Sequence, residues 1–262
     1  MKKKKTAEIN NERTTKKMIQ YKTKIFKDTE QTAHAVVDLI QAQSGQRQQS
    51  GQYFNIALSG GSTPRLLFEM MAQEPYASDI SWDVIRLFWV DERCVAPDHV
   101  ESNYKMTYDA LLKHGLIKPD NIFRMKGEAF PPEEALRYEK LLKKELPLVN
   151  GFPVFDLILL GMGEDGHTAS IFPDNMGLLH TDRVVETAVH PVSGQDRITL
   201  TGKAINHARQ VVFLVTGAGK AAIVQTILQK QSGSQQYPAA HVGNYEQTAE
   251  FYLDAAAAAG VL

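Results

Sequence analysis

The chain has 262 residues, 43% hydrophobic and 23% charged, the make-up of a globular protein able to bury its own core. One cysteine, Cys94, excludes a disulfide framework, and no apolar run reaches transmembrane length. The net charge of −1 excludes a global basic field for nucleic acid, but it hides a division: residues 1–17 hold seven Lys and Arg against two Glu, net +5, which leaves −6 for the rest.

Residues 1–17 contain almost nothing apolar and are predicted to be a disordered basic tail, because they cannot offset the entropy of ordering. No apolar stretch follows the lysines, so the tail does not read as a secretory signal. Folded patterning starts at Met18, and residues 18–262 read as one domain. A helix is predicted over 30–43, then a polar loop over 44–51. Strand Tyr53–Leu58 leads through SGGSTP into a helix over Pro64–Ala72. Strand Val84–Val90 leads through DER towards a helix near Asn103–Lys113, and a further helix covers Pro132–Leu146. Strand Val154–Leu160 precedes GMGEDGH, strands follow at Arg197–Thr201 and Gln210–Val215, and TGAGK opens a helix over Ala218–Lys230. The end, FYLDAAAAAGVL, reads as a strand running into a short alanine helix. Strands alternating with helices imply a mainly parallel sheet covered on both faces. In such sheets ligands gather at the carboxyl ends of the strands, and four polar loops fall there.

Two of these loops suit an anion. In SGGSTP, Gly60 and Gly61 bring backbone N–H groups close, Ser62 and Thr63 add hydroxyls, and a helix begins directly after. In TGAGK, Lys220 sits in the first helical turn, against the helix dipole unless it faces an anion. Arg197, opening a strand, is a third candidate for phosphate oxygens. The loop GMGEDGHTASIFP offers acid–base chemistry: histidine is the usual general base near neutral pH, which points to His167, and Asp165 can orient its imidazole or meet ligand hydroxyls. The other seven histidines read as surface or packed residues, with His190 and His241 as outside candidates. Arg93, ending the apolar RLFWVDER, is a candidate anion or carbonyl-oxygen contact; Asp91 and Glu92 would hold it in place. Cys94 beside Arg93 could be an activated thiolate, but with no histidine near it in sequence it ranks well below these. No HExxH, CxxC pair or GxSxG is present, so neither a metal site nor a serine hydrolase is indicated.

SGGSTP, VDER, ESNYKM, GMGEDGHTASIFP, RITLTGKAIN, TGAGK and YPAAHV together resemble the 6-phosphogluconolactonase family, in order and spacing, from about Ile19 to the C-terminus. The resemblance implies a modified doubly wound α/β sheet like those of glucosamine-6-phosphate deaminase and ribose-5-phosphate isomerase. It implies hydrolysis of 6-phospho-D-glucono-1,5-lactone in the pentose phosphate pathway, without metal or organic cofactor. His167 then matches the general base, Asp165 its acidic neighbour, and Ser62, Arg197 and Lys220 positions that meet the sugar phosphate. Arg93 matches the arginine of the DER motif, also placed at the ligand. FPDNMGLL departs from the family's FPG after the histidine loop. A small sugar-phosphate substrate, a monomer, no nucleic-acid or membrane partner and a cytoplasmic location are the accompanying expectations. Two alternatives stand beside this: a glucosamine-6-phosphate deaminase/isomerase, whose loop would read DGHIAFNEP, and a non-catalytic sugar-phosphate-binding regulator, which would have lost the base or the phosphate residues.

Overall fold

The computed structural model describes residues 19–261, so the predicted tail at 1–17 lies outside the described residues. In chain order come β1 (Gln20–Phe26), α1 (Thr29–Gln49), β2 (Phe54–Leu58), α2 (Ser62–Met71), α3 (Tyr76–Asp79), β3 (Ile85–Trp89), β4 (Asp91–Arg93), α4 (Asn103–Ala110) and β5 (Ile122–Phe123). They are followed by α5 (Pro131–Glu145), β6 (Leu148–Val149), β7 (Phe152–Pro153), β8 (Leu157–Leu160), β9 (Val185–Val189), β10 (Asp196–Leu200), α6 (Gly202–Ile205), β11 (Val211–Val215), α7 (Ala221–Leu228) and β12 (Thr248–Asp254).

Seven strands form one parallel sheet in the order β1-β12-β11-β8-β2-β3-β5. Four of its five inner strands, FNIAL, IRLFW, LILL and VVFLV, are buried at every position, as a parallel sheet covered on both faces requires. The edge strand β1 is largely exposed and carries Lys22 and Lys24, which discourages pairing with another chain. From β2 the chain proceeds to β3 on one side, whereas β8 leads to β11 and β12 on the other. The crevice at the carboxyl ends of β2 and β8 is therefore the switch point of the sheet, where ligands are expected. Ser59 closes its floor, donating its hydroxyl to Leu159 O at 2.9 Å.

Three expectations change. The helix begun at residue 29 runs to Gln49 rather than ending at 43 before a loop. Buried Ser44 and an ion pair from Arg47 to Asp156 anchor its polar last turns to the body. The strand predicted at Arg197–Thr201 exists as β10 but lies outside the main sheet, antiparallel between β4 and β9. The alanine run after β12 forms turns, not a helix; Asp254 gathers it by accepting Ala257 N–H at 2.7 Å on its side chain and Ala258 N–H at 3.0 Å on its carbonyl.

Candidate active site

The four polar loops at the strand ends converge on one cleft of about 240 Å³. It is lined by Gly60, Gly61, Ser62, Thr63, Arg93, His167 and Lys220, and also by Asp91 and Asn103. Of the nine candidate residues, Asp165 and Arg197 stand just behind this lining and act on groups within it.

The loop after β8 is built around the pair Asp165–His167. Asp165 Oδ1 lies 2.5 Å from His167 Nδ1 and also accepts the His167 backbone N–H at 3.1 Å. Nδ1 so held is the protonated nitrogen, which leaves Nε2 as the basic atom. Phe172 flanks the imidazole at 4.8 Å between centroids. Partial burial acts to raise the Asp165 carboxyl, but the backbone N–H and the ring of His167 outweigh it, and the net direction is downward. Gly163 has to lack a side chain, because a Cβ there would overlap the imidazole. Gly166, between the two catalytic candidates, holds φ at +78°, a left-handed conformation that suits glycine.

The anion side of the cleft is the start of α2. Gly61 is its N-cap with φ +116°, no side chain caps the first turn, and Ser62 and Thr63 follow. These free N–H groups and the helix dipole favour an anion. Thr63 Oγ1 and Thr216 Oγ1 are 2.8 Å apart and tie this loop to TGAGK. Lys220 stands at the N-cap of α7. Burial lowers its pKa, while Glu164 and Asp254 partly restore it. The TGAGK turn is fixed by Asp254, whose two carboxylate oxygens each accept Gly217 N–H at 3.1 Å.

Arg93 and Arg197 are direct partners in the β4–β10 register and so project to the same face. Arg93 is held by a bond from Nη1 to Glu101 O at 2.5 Å. Arg197 is buried, and its Nη1 has no hydrogen-bond partner. Desolvation, then the nearby Arg93 charge, lowers its pKa. Two guanidinium groups side by side, one with an unused buried N–H, form a site for a negative charge. Asp91 and Glu92 hold this corner, as expected. Asp91 accepts Ser170 Oγ at 2.8 Å; Glu92 accepts Arg93, Asn103 and Tyr104 N–H at 2.7–2.8 Å, and Ser102 Oγ at 3.1 Å.

The outside candidates fall away from the cleft. His241 binds Gln235 O through Nε2, and His190 accepts two backbone N–H groups of its own turn while its ring meets Phe172 edge-on at 5.1 Å. The Cys94 thiol is pushed up to about 12 by burial, then by Asp196, so it is no thiolate nucleophile. Among the described residues no group of three His, Cys, Asp or Glu is placed to hold a metal ion, and no helix is long and apolar enough to cross a membrane. Asn103 and Asp254 were assigned no role from sequence. A polar residue closing an apolar strand at the ligand rim was the available sign for Asp254.

Comparison with known proteins agrees with the family resemblance and the fold. The family model described as glucosamine-6-phosphate isomerases/6-phosphogluconolactonase matches residues 27–251. A 6-phosphogluconolactonase of Haemophilus influenzae is 42% identical over 86% of this chain and 95% of its own length. One of Treponema pallidum is 41% identical over 76% and 80%. The crystal structure of a devB protein superposes with TM-score 0.87 at 41% identity, covering 93% of this chain and all of that one. A 6-phosphogluconolactonase of Trypanosoma brucei gives 0.77 at 29%, covering 93% and 100%. A monomeric glucosamine-6-phosphate deaminase, at TM-score 0.75 and 19% identity, shares the fold.

Proposed function

Since the chain belongs to the glucosamine-6-phosphate isomerase/6-phosphogluconolactonase family, we propose the following working of its cleft. The protein is a 6-phosphogluconolactonase: it hydrolyses 6-phospho-D-glucono-1,5-lactone to 6-phosphogluconate, the oxidative pentose phosphate step. Residues 18–262 act as one catalytic domain. The substrate phosphate binds the start of α2, at Gly60, Gly61, Ser62 and Thr63, with Lys220 facing it from the neighbouring loop. Binding energy gained at this end, remote from the reacting bond, positions C1 at the other.

His167 Nε2 takes a proton from water as that water attacks C1. Asp165 holds the tautomer and stabilises the imidazolium that forms. Arg197, expected from sequence at the phosphate, stands instead beside Arg93 behind the cleft lining, and the arginine pair steadies the developing oxyanion. The imidazolium returns its proton to the ring oxygen as the lactone opens. The observation that carries this reading is the 2.5 Å Asp165–His167 pair facing the same cleft as an uncapped helix start and Lys220. The glucosamine-6-phosphate deaminase alternative has the joint family description and fold likeness at 19% identity behind it, less than the 42% identity to a 6-phosphogluconolactonase.

The test is lactone hydrolysis near pH 6–7 with spontaneous opening subtracted. His167→Ala is expected to lose roughly 10²–10⁴ in kcat with KM little changed. A variant with wild-type kcat refutes the assignment of the base.

A further inference from the structure

The segment YPAAHV, distinctive in the sequence, lines no part of the cleft. Its position against the acid–base loop nonetheless explains how that loop keeps its shape. A Cβ built on Gly166 would come within 2.5–2.8 Å of Tyr237 Cδ1, Cγ and Cβ, so the inner part of the Tyr237 ring lies directly on the Gly166 backbone. Two residues on, Ala239 N–H donates to Gly166 O at 3.1 Å. Gly166 is buried, has φ +78°, and is the single residue between Asp165 and His167. Its left-handed turn is what brings a carboxylate two residues away onto the imidazole. Gly163 N–H to His167 O and Thr168 Oγ1 to Gly161 O are internal to the loop, and its outer anchors, Ser170 to Asp91 and Thr199, lie on the far side of His167 in sequence.

The support is itself anchored. Tyr237 N–H donates to Ser234 O, and His241 Nε2 pairs with Gln235 O. Tyr21 Oη donates to Ala240 O at 3.2 Å from β1, and Asn206 Nδ2 to His241 O from the end of α6. We propose that Tyr237 is a positioning residue for the hydrolysis: its ring, with the Ala239 N–H, clamps Gly166 in the left-handed turn that holds Asp165 on His167 Nδ1. The inference rests on the reading of His167 as the base. It adds a residue that touches neither substrate nor reacting atoms. The contact uses the inner ring carbons, so the phenol oxygen is dispensable.

The experiment compares wild type, Tyr237→Phe, Tyr237→Ala, Tyr237→Leu and His167→Ala. It measures kcat and KM for the lactone, together with the downfield proton resonance of the short Nδ1–H to Asp165 bond, assigned by its loss in His167→Ala. Tyr237→Phe is expected to match wild type in all three readouts. Tyr237→Ala is expected to lower kcat roughly 10- to 100-fold while KM stays within about twofold, and to lose the resonance, because misplacing a base by an ångström costs rate rather than ground-state binding. Tyr237→Leu, which keeps bulk over Gly166, shows a smaller fall in kcat and is the deciding variant if the alanine protein does not fold. Unchanged kcat with the resonance retained in the deciding variant overturns the proposal, as does a Tyr237→Phe protein that falls as far as Tyr237→Ala. An inactive His167→Ala beside a fully active Tyr237→Ala sinks this inference alone; a fully active His167→Ala sinks the functional reading beneath it.

Discussion

Gly60 and Asn103 leave no room between them. A Cβ on Gly60 would overlap the Asn103 amide oxygen, and Asn103 cannot retreat. Its Nδ2 donates to Asp91 O at 2.9 Å, its backbone N–H is bound by Glu92, and its side chain is buried. The first glycine of SGGSTP is thus demanded by close approach and the second, with φ +116°, by backbone geometry. Overpacking of this kind costs about 1–3 kcal/mol. Gly60→Ala relieves it most easily by displacing the loop from the start of α2, where the phosphate is proposed to bind. The expected outcome is a KM for the lactone raised about tenfold with a smaller change in kcat, the mark of lost uniform binding. Calorimetric titration with 6-phosphogluconate is expected to show the same loss; unaltered affinity for both ligands would remove the loop from the phosphate site.

At the scale of elements, α4 shows how a corner of the cleft is held by one carboxylate. Glu92 Oε1 accepts the N–H groups of Arg93 and Asn103, and Oε2 accepts Tyr104 N–H and Ser102 Oγ, so it caps the eight-residue helix from a neighbouring strand. Burial pushes the Glu92 carboxyl up; the three backbone N–H groups oppose this without reversing it, and Asp91 adds to it. Glu92→Gln turns one acceptor into a donor that faces the N–H or hydroxyl donors already there. Leaving such donors unmatched costs about 1–3 kcal/mol, which urea unfolding is expected to register; an unchanged midpoint would mean the helix caps itself. This bond set also marks where sequence legibility ends. The phosphate loop and the acid–base loop are contiguous, with their glycines, hydroxyls and histidine adjacent, so both were readable. The strands FNIAL and LILL were equally plain, because burial on both faces leaves an unbroken apolar run. Partners remote in sequence were not readable: Glu92 with Asn103, Asp254 with Gly217, Tyr237 with Gly166. The polar end of α1 misread as a loop for the same reason, since its support is Asp156, more than a hundred residues away. β10 looked like a member of the main sheet because its apolar pattern serves an antiparallel layer equally well.

For the molecule as a whole, the acidic balance of the body means that phosphate binding depends on local groups, and acid stability on how the carboxylates are paired. Glu128, Glu139, Glu145 and Asp165 all lie below their ordinary values. For Glu128 the Arg124 guanidinium is the leading cause. For Glu139 burial alone would raise the carboxyl, but Lys143, Arg183 at 2.9 Å and the Val184 N–H at 3.1 Å together bring it down. A carboxyl depressed in the folded state binds fewer protons there than in the unfolded chain. Its stabilisation is complete above the unfolded value, 4.5 for glutamate, and is lost as pH falls through the lower folded value. Thermal unfolding is therefore expected to hold a plateau above about pH 5 and to drop steeply on the acid side of 4.5. Glu139 joins α5 to the start of β9, and its side chain is only 13% exposed, against 38% for Arg183. With that screening, Glu139→Gln is expected to lose about 1 kcal/mol at neutral pH. Its deficit against wild type should shrink as pH falls below 4.5, where the wild-type carboxylate is neutralised as well. Parallel unfolding curves for the two proteins from pH 7 to pH 3 would show that pairing at Glu139 carries none of the acid sensitivity.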